Sequence, residues 1–185
     1  MLNHSLPALR ATTAATFFLA ALTLTPGSAT AQAPAKALDD ATIVAIFDAA
    51  NSVDIETGQL AVDRGQSKEV RDFGAMMVRD HKMVRQLGRD LATKLKVTPT
   101  PPKPDQAAVD HAAAMKRLSA LSGAAFDRAY LEHEIAFHKA VIDAVNSTLL
   151  PAIRNAELKE LVVKVAPAFQ GHMMGAQTIL DRMSR

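Results

Sequence analysis

The chain has 185 residues, a formal net charge of +2 and no cysteine. This length suits one domain plus a processing segment, and the lack of cysteine excludes disulfides and a cysteine-linked lipid anchor. Basic and acidic residues alternate, as in Asp63-Arg64 and Arg79-Asp80, which is typical of a solvated helix surface. With one tyrosine and no tryptophan, there is no aromatic platform for stacking bases, so we expect no nucleic-acid partner.

The first 33 residues have the layout of a secretory signal peptide. Arg10 supplies a positive start, and residues 11–24 form an apolar stretch that is short for a membrane span. Small residues then provide cleavage sites after Ala31 or Ala33. We therefore expect export to the periplasm or the outer membrane, a flexible lead-in at 34–39, and no transmembrane span after cleavage. A retained membrane anchor is the alternative interpretation.

Apolar residues recur at three- and four-residue spacing through the rest of the chain, which predicts helices and no strands. Asp39 or Asp40 is expected to cap the first helix, Gly65 to close it, and Ser67 to open the second. The predicted helices span about 40–65, 67–96, 105–121 and 152–183, and a long helix around 126–145 resumes after Ser122-Gly123 and ends before the turn at Pro151.

The predicted turns define an all-α architecture. Turns at Gly65 and Pro151 join the helices into two hairpins, 40–98 and 105–183, and the proline-rich stretch between them is a linker. An up-down-up-down four-helix bundle, with 40–183 as a single domain, is the economical arrangement. Pro167 lies within the last helix, and we expect it to kink that helix or to split off its first turns.

Four polar residues fall on the predicted inward faces of three helices. His81 belongs to the second helix, Glu134 and His138 lie one turn apart in the fourth, and His172 belongs to the last. If both hairpin turns lie at the same end of the bundle, residue counts from them, at roughly 1.5 Å per residue, place all four within about 12 Å along the bundle axis. Imidazole-rich sites suit zinc, copper or nickel, so one interpretation is a site for one transition-metal ion.

Two other interpretations of these histidines stay open. They can form a buried network with Glu134, Asp80 or Tyr130 that fixes the packing without a ligand, or they can be exposed to solvent. His133 is expected on the helix surface, and His111 has no evident partner in the sequence.

The first helix offers no ligand that matches the predicted site both in depth and in helix face. Glu56 is the natural carboxylate to add, but it lies about two turns from the depth of His81, whereas Asp48 matches the depth and lies off the apolar stripe. Met77, one turn before His81, is a further candidate, and thioether with imidazole would favour copper(I). Methionine is nonetheless a common filler of helical cores.

Three segments resemble a known family: SKEVRDFGAMMVRDH in the second helix, LSGAAFDRAYLEHEIAFH around the fourth, and VAPAFQGHMMGAQTIL in the last. They are similar to the exported domain-of-unknown-function family 4142, over about 40–183. The resemblance implies a predicted outer-membrane or periplasmic protein with a ferritin-like bundle. The Glu-x-x-His pairs of di-iron bundles are absent, because Val78 and Phe169 stand three residues before His81 and His172. Di-iron chemistry is therefore disfavoured.

The sequence shows neither a nucleophile with a positioned base nor a phosphate-binding glycine loop. We therefore expect a non-enzymatic role in the periplasm or envelope, with stress tolerance or envelope maintenance suggested by the resemblance. The alternative is a metal-binding protein that stores or buffers zinc, copper or iron. A module that binds an envelope partner or a second copy, through an exposed apolar strip at 112–121, is a third class.

Overall fold

The structure, a computed structural model, describes residues 38–184, and these residues contain helices and no strand. The predicted all-α class is confirmed. The helices are α1 (Asp40–Arg64), α2 (Lys68–Lys94), α3 (Gln106–Ser119), α4 (Gly123–Ala144), the single turn α5 (Leu150–Ala152) and α6 (Ala156–Met183). A π-helical turn, Val145–Leu149, joins α4 to α5. The predicted signal peptide at 1–33 and most of the lead-in lie outside the described residues.

Side chains cap the helices where the sequence predicts helix starts. Asp39 caps α1 by accepting a hydrogen bond from the amide three residues later at 2.8 Å, and Ser67 caps α2 in the same way at 3.2 Å. The neighbouring Asp40 has a different role, because its carboxylate accepts from the amides of Arg154 and Asn155, both at 2.9 Å. It thereby ties the start of α1 to the connection that precedes α6.

Both prolines of the second hairpin lie within helices. Pro151 lies inside α5, and the turn follows it at 153–155, where Asn155 caps α6. A proline at the first turn of a helix removes no needed amide, so the chain stays helical through it. Pro167 does not split α6, which runs unbroken from Ala156 to Met183. Its ring is exposed while Val165 and Phe169 on the inward face are buried, and their packing offsets the missing backbone hydrogen bond.

The four long helices pack in the order α1, α2, α6, α4 around a common interior. The predicted up-down-up-down order is wrong, because Asp127 at the start of α4 accepts from amides of the turn between α1 and α2, whereas the connection before α6 lies at the start of α1. The two hairpin turns therefore lie at opposite ends, and the long helices run up, down, down, up.

The two first helices touch backbone to backbone at Gly58 and Gly74, where a Cβ on either glycine would lie within 2.9 Å of the other's carbonyl oxygen. This close approach fixes how α1 and α2 are aligned. The short α3 packs on the outside against α1 and α4, with Leu118 fully buried. Among the described helices, none has the length and apolar character needed to cross a membrane.

Two apolar clusters fill the interior and leave a polar layer between them. The first cluster includes Phe47, Val84, Val145 and Phe169, and the second includes Ala61, Met77, Leu131 and Ala176. In each long helix the two sets are separated by buried polar residues, which are Asn51, Asp54, Thr57, His81, Glu134, His138 and His172. The polar layer therefore lies midway along the four helices, sealed by apolar side chains on both sides.

Candidate metal centre

Three imidazole rings from three different helices meet in the polar layer. His81 comes from α2, His138 from α4 and His172 from α6, and they are 2%, 1% and 7% exposed. Their ring centroids are 5.1 to 5.6 Å apart. One nitrogen from each ring lies within 4.8 Å of one from each of the others. The structure thus brings together the three histidines that the sequence singled out.

A chain of hydrogen bonds sets the tautomer of His81. The Asn51 amide donates from Nδ2 to the carbonyl of Phe47 at 2.8 Å, which leaves its Oδ1 facing His81 Nδ1 at 2.9 Å. Since Oδ1 only accepts, Nδ1 must carry the proton. Asp54 Oδ2 lies 3.3 Å from the same nitrogen and adds a second acceptor. The lone pair of His81 is therefore on Nε2.

The other two rings are oriented in the same manner. His138 Nδ1 donates to the backbone carbonyl of Glu134 at 3.0 Å, which places its lone pair on Nε2. His172 Nε2 donates to the Asp80 carboxylate at 3.2 Å, which places its lone pair on Nδ1. A ligating histidine usually donates its second ring nitrogen to a carbonyl or carboxylate in this way.

Each ring is left with one buried nitrogen that has nothing to bond. Among the described residues none offers a hydrogen-bond partner to His81 Nε2, His138 Nε2 or His172 Nδ1, and all three atoms are shielded from solvent. Buried polar atoms without a partner are uncommon and costly. Here all three atoms are imidazole nitrogens, and all three lie in the polar layer.

All three histidines are neutral at physiological pH. Burial lowers the pKa of His81 to about 3, with further lowering from the charges of His138 and His172. Burial also lowers the pKa of His138 to about 4, against a raising effect of its bond to the Glu134 carbonyl. The pKa of His172 is lowered by burial and partly restored by Asp80. Neutral imidazole is the form that binds a metal.

A buried pair of carboxyl groups, Asp54 of α1 and Glu134 of α4, lies beside the rings. They are 3% and 0% exposed, and with His138 they form a second group whose ligand atoms lie within 4.8 Å of one another. Thr57 donates its hydroxyl to Glu134 Oε1 at 2.9 Å. No hydrogen-bond partner is found among the described residues for Asp54 Oδ1 or Glu134 Oε2. A proton or a cation between the two carboxyl groups would satisfy both atoms.

Burial is the main cause that raises the pKa of both carboxyl groups. The pKa of Glu134 rises to about 8, and the charge of Glu134 raises the pKa of Asp54 further. Although Asp54 lies within salt-bridge distance of His81, the low pKa of His81 and the high pKa of Asp54 make this contact neutral. Glu134 therefore holds a proton at neutral pH when no cation is near.

Two other predicted candidates, Glu56 and Asp48, are engaged by other side chains, and a third, Met77, lies in an apolar cluster. Glu56 is exposed and pairs with His111, whose Nε2 is 2.8 Å from its carboxylate, so His111 does have a partner. Asp48 is held by Arg85 and Arg89 on the surface of α1 and α2. Met77 is fully buried in the second apolar cluster. The thioether site expected for copper(I) gains no support from that position.

The residues that α1 contributes, Asn51 and Asp54, were not among the predicted site residues. A signal was present, because Asn51, Asp54 and Gly58 follow one another at three- and four-residue spacing and so share a helix face. That face runs between Phe47 and Ala61, both buried. Polar residues placed between two core positions indicate a buried polar layer.

The fold and the site define an all-helical protein with a buried histidine and carboxylate cluster at its centre. The chain belongs to the family described as "Domain of unknown function (DUF4142)", whose model matches residues 25–179. The chain is also similar to the crystal structure of a DUF305 fragment from Deinococcus radiodurans, with 17% sequence identity and a TM-score of 0.67. That match covers 77% of this chain and 95% of that chain, and at such identity it shows the fold alone. No curated protein matches the sequence.

Proposed function

We propose that this protein binds one divalent transition-metal ion inside the helical bundle, through the free ring nitrogens of His81, His138 and His172. The observation that carries the proposal is that all three rings have one nitrogen engaged by a protein acceptor and one buried nitrogen with no partner. A network that served packing alone would be expected to satisfy its own members. Here the unsatisfied atoms belong to three neutral bases in one place.

The carboxyl groups provide the charge that such an ion needs. Three neutral imidazoles bring no negative charge, and burying an uncompensated divalent cation is strongly unfavourable. Asp54 and Glu134 lie next to His138 and supply one negative charge each once their protons leave. One divalent ion with two carboxylates has no net charge. The carboxyl groups must lose their protons to reach this state, so ion binding and proton release are coupled.

The donor set defines the class of ion. Imidazole nitrogens with nearby carboxylates suit zinc(II), nickel(II), copper(II) and iron(II), and they do not select calcium or magnesium, which prefer oxygen ligands. Because the rings are sealed in the interior, holding an ion is favoured over catalysis on a substrate. The proposed role is storage or buffering of the ion.

The cellular setting is part of the same proposal. The leader-like sequence of residues 1–33 supports export to the periplasm or association with the outer membrane, and the packing of four long helices around one interior supports a single ferritin-like bundle. A role in envelope maintenance or stress tolerance would follow from controlling a metal ion in that compartment.

Titration with cobalt(II) tests the site, since cobalt(II) reports its ligands through its visible absorption. We expect the mature protein to take up about one ion per chain with the bands of a nitrogen-rich site, and His81→Ala to lose them. Val84→Ala is the matched control, because it removes a buried side chain one turn away without removing a ligand. An unchanged spectrum in His81→Ala would overturn the proposal.

A further inference from the structure

His172 differs from the other two rings of the central site because its hydrogen-bond acceptor reaches solvent. His81 is bonded to Asn51, which is 2% exposed, and His138 is bonded to a buried backbone carbonyl of its own helix. The acceptor for His172 is the Asp80 carboxylate at 3.2 Å, and the side chain of Asp80 is 21% exposed. This hydrogen bond therefore links the buried cluster to the surface between α2 and α6.

Asp80 is shared between His172 and an arginine. Its Oδ2 accepts a hydrogen bond from His172 Nε2, and its Oδ1 accepts one from Nε of Arg79 at 2.7 Å. The side chain of Arg79 is 71% exposed, and contacts of this kind at a protein surface contribute little to stability. The bond to His172 can therefore open while Asp80 keeps a charged partner. Opening the bond of His81 would instead leave a buried acceptor unpaired, which costs far more.

The side chains of α6 that lie between His172 and α2 are small. Successive residues of an α-helix are about 100° apart, so one side of His172 is formed by Ala168, Gly171 and Gly175. This side faces α2, because a Cβ on Gly175 would lie 3.2 Å from the ring of Phe73. A Cβ on Gly171 would meet nothing within 4 Å, and Ala168 and Gly171 are exposed. The His172 ring therefore has room to turn outward on this side.

Other parts of the structure cover the remaining sides of the polar layer. The backbones of α1 and α2 touch at Gly58 and Gly74, and α3 packs on the outside of α1 and α4. Phe169 stacks on one of the rings and also lines the groove beside α4 and α6. The two apolar clusters close the layer in both directions along the bundle axis. The contact between α2 and α6 is thus the place where a ring of the site approaches the surface.

We propose that the metal ion enters and leaves the central site between α2 and α6, and that the hydrogen bond between Asp80 and His172 controls its exchange. In this role His172 is the last ligand to join the ion and the first to leave. Asp80 is a positioning residue, because it holds the ring toward the centre and touches no ion. This inference rests on the proposed function of the central site and adds the route of exchange to it.

Cobalt(II) is the probe, with loading of the mature full chain followed in a stopped-flow instrument and release followed by transfer to a chelator. Asn51→Ala and Asp80→Ala each remove the acceptor of one ring, so both should weaken binding by about tenfold. In Asn51→Ala the whole loss should appear as faster release, because His81 does not move during loading. In Asp80→Ala loading should be faster too, so release should accelerate by more than the loss of affinity. Asp80→Asn, which keeps an acceptor for His172 Nε2, should restore the wild-type rates.

A second variant tests the route without removing a hydrogen bond. Gly171→Leu fills the open space beside His172, so loading and release should both become several-fold slower at unchanged affinity. Gly171→Ala is the matched control, because its methyl group meets nothing within 4 Å, and it should load at the wild-type rate.

Two results would overturn the inference and leave the central site standing. Loading in Asp80→Ala that is no faster than in wild type would refute control by Asp80. Loading and release in Gly171→Leu that equal those of Gly171→Ala would refute the route between α2 and α6. A wild type that takes up no cobalt(II) would refute the central site itself, and the proposed route of exchange would fall with it.

Discussion

Asn51 accepts a hydrogen bond from His81 across the contact between α1 and α2, with 2.9 Å between Oδ1 and Nδ1. The asparagine is itself held by its bond to the Phe47 carbonyl, so the ring is oriented by a side chain that has no freedom to turn. Outer partners of this kind typically change metal affinity by about 10–100-fold. The tautomer of His81 therefore depends on a residue that touches no ion.

The first prediction removes that partner. Asn51→Ala should weaken metal binding by about tenfold, because Asp54 at 3.3 Å remains as a poorer acceptor for the ring proton. Competition against a chelator of known affinity measures the change. Ser52→Ala is the control, since Ser52 makes the same type of bond to its own helix away from the rings, and an equal loss in both variants would contradict the assignment.

The second prediction concerns charge compensation by Glu134. Glu134→Gln keeps the side-chain shape and a partner for the Thr57 hydroxyl but cannot become negative. Metal affinity should fall by about 10–100-fold, and fewer protons should be released per ion. Calorimetry in buffers of different ionisation enthalpy counts those protons, with the exposed Glu132→Gln as control. Proton release that is the same in Glu134→Gln and wild type would refute the coupling.

The third prediction is the pH dependence of the metal-free protein. The pKa of His81 and of His138 falls from 6.5 to about 3 and about 4, so between these values and 6.5 the unfolded chain binds more protons. The free energy of unfolding therefore falls as the pH is lowered through that window. The pKa of Glu134 rises from 4.5 to about 8, so the folded state binds more protons there and the free energy of unfolding falls as the pH rises toward 8.

Urea unfolding in the presence of a chelator, at pH values of roughly 5, 6.5 and 8, measures how the free energy of unfolding depends on pH. We expect stability to fall from the middle value to the highest, and saturating metal should remove this decline because the ion replaces the protons. Stability that rises steadily from the lowest to the highest pH without metal would contradict the raised pKa of Glu134.

The fourth prediction concerns Phe169, which separates the rings from a groove. Its ring stacks on His81 at 5.9 Å with an interplanar angle of 7°, and it also lines a groove of about 300 Å³ beside the π-helical turn and Pro167. Phe169→Leu should leave the fold intact and let water reach the rings, so bound metal should exchange faster. Isotope exchange measures this, with Val163→Ala on the exposed rim as control; equal rates in both variants would refute the barrier.

The three histidines were predictable because helical periodicity places them on the inward faces of their helices. His81, His138 and His172 each fall between buried apolar residues of their own helix. The depth count assumed that both hairpin turns lie at one end, which is wrong, but the depths still agree because all three histidines lie near the middle of their helices. Helix ends were predictable where a side chain caps the chain, as at Asp39 and Ser67.

The contribution of α1 was missed for a physical reason. Residue counting pointed to Asp48 at the depth of His81, but helical side chains lean toward the N-terminus of their own helix. Side chains of α2 lean toward the turn at Gly65, whereas side chains of α1 lean away from it. The α1 residue that meets His81 therefore lies closer to that turn along the chain than His81 does. Asp54 and Asn51 therefore reach His81, and Asp48 pairs with arginines instead.

Elemental analysis of the protein purified from its own cellular compartment tests the central claim most directly, with wild type beside His138→Ala and Val145→Ala. His138→Ala removes a ring from the centre, while Val145→Ala removes a buried apolar side chain further along the same face. We expect about one transition-metal ion per chain in wild type and in Val145→Ala, and a loss of the ion in His138→Ala. Wild type that carries no transition metal, and takes up none when it is supplied, would contradict the proposed metal site.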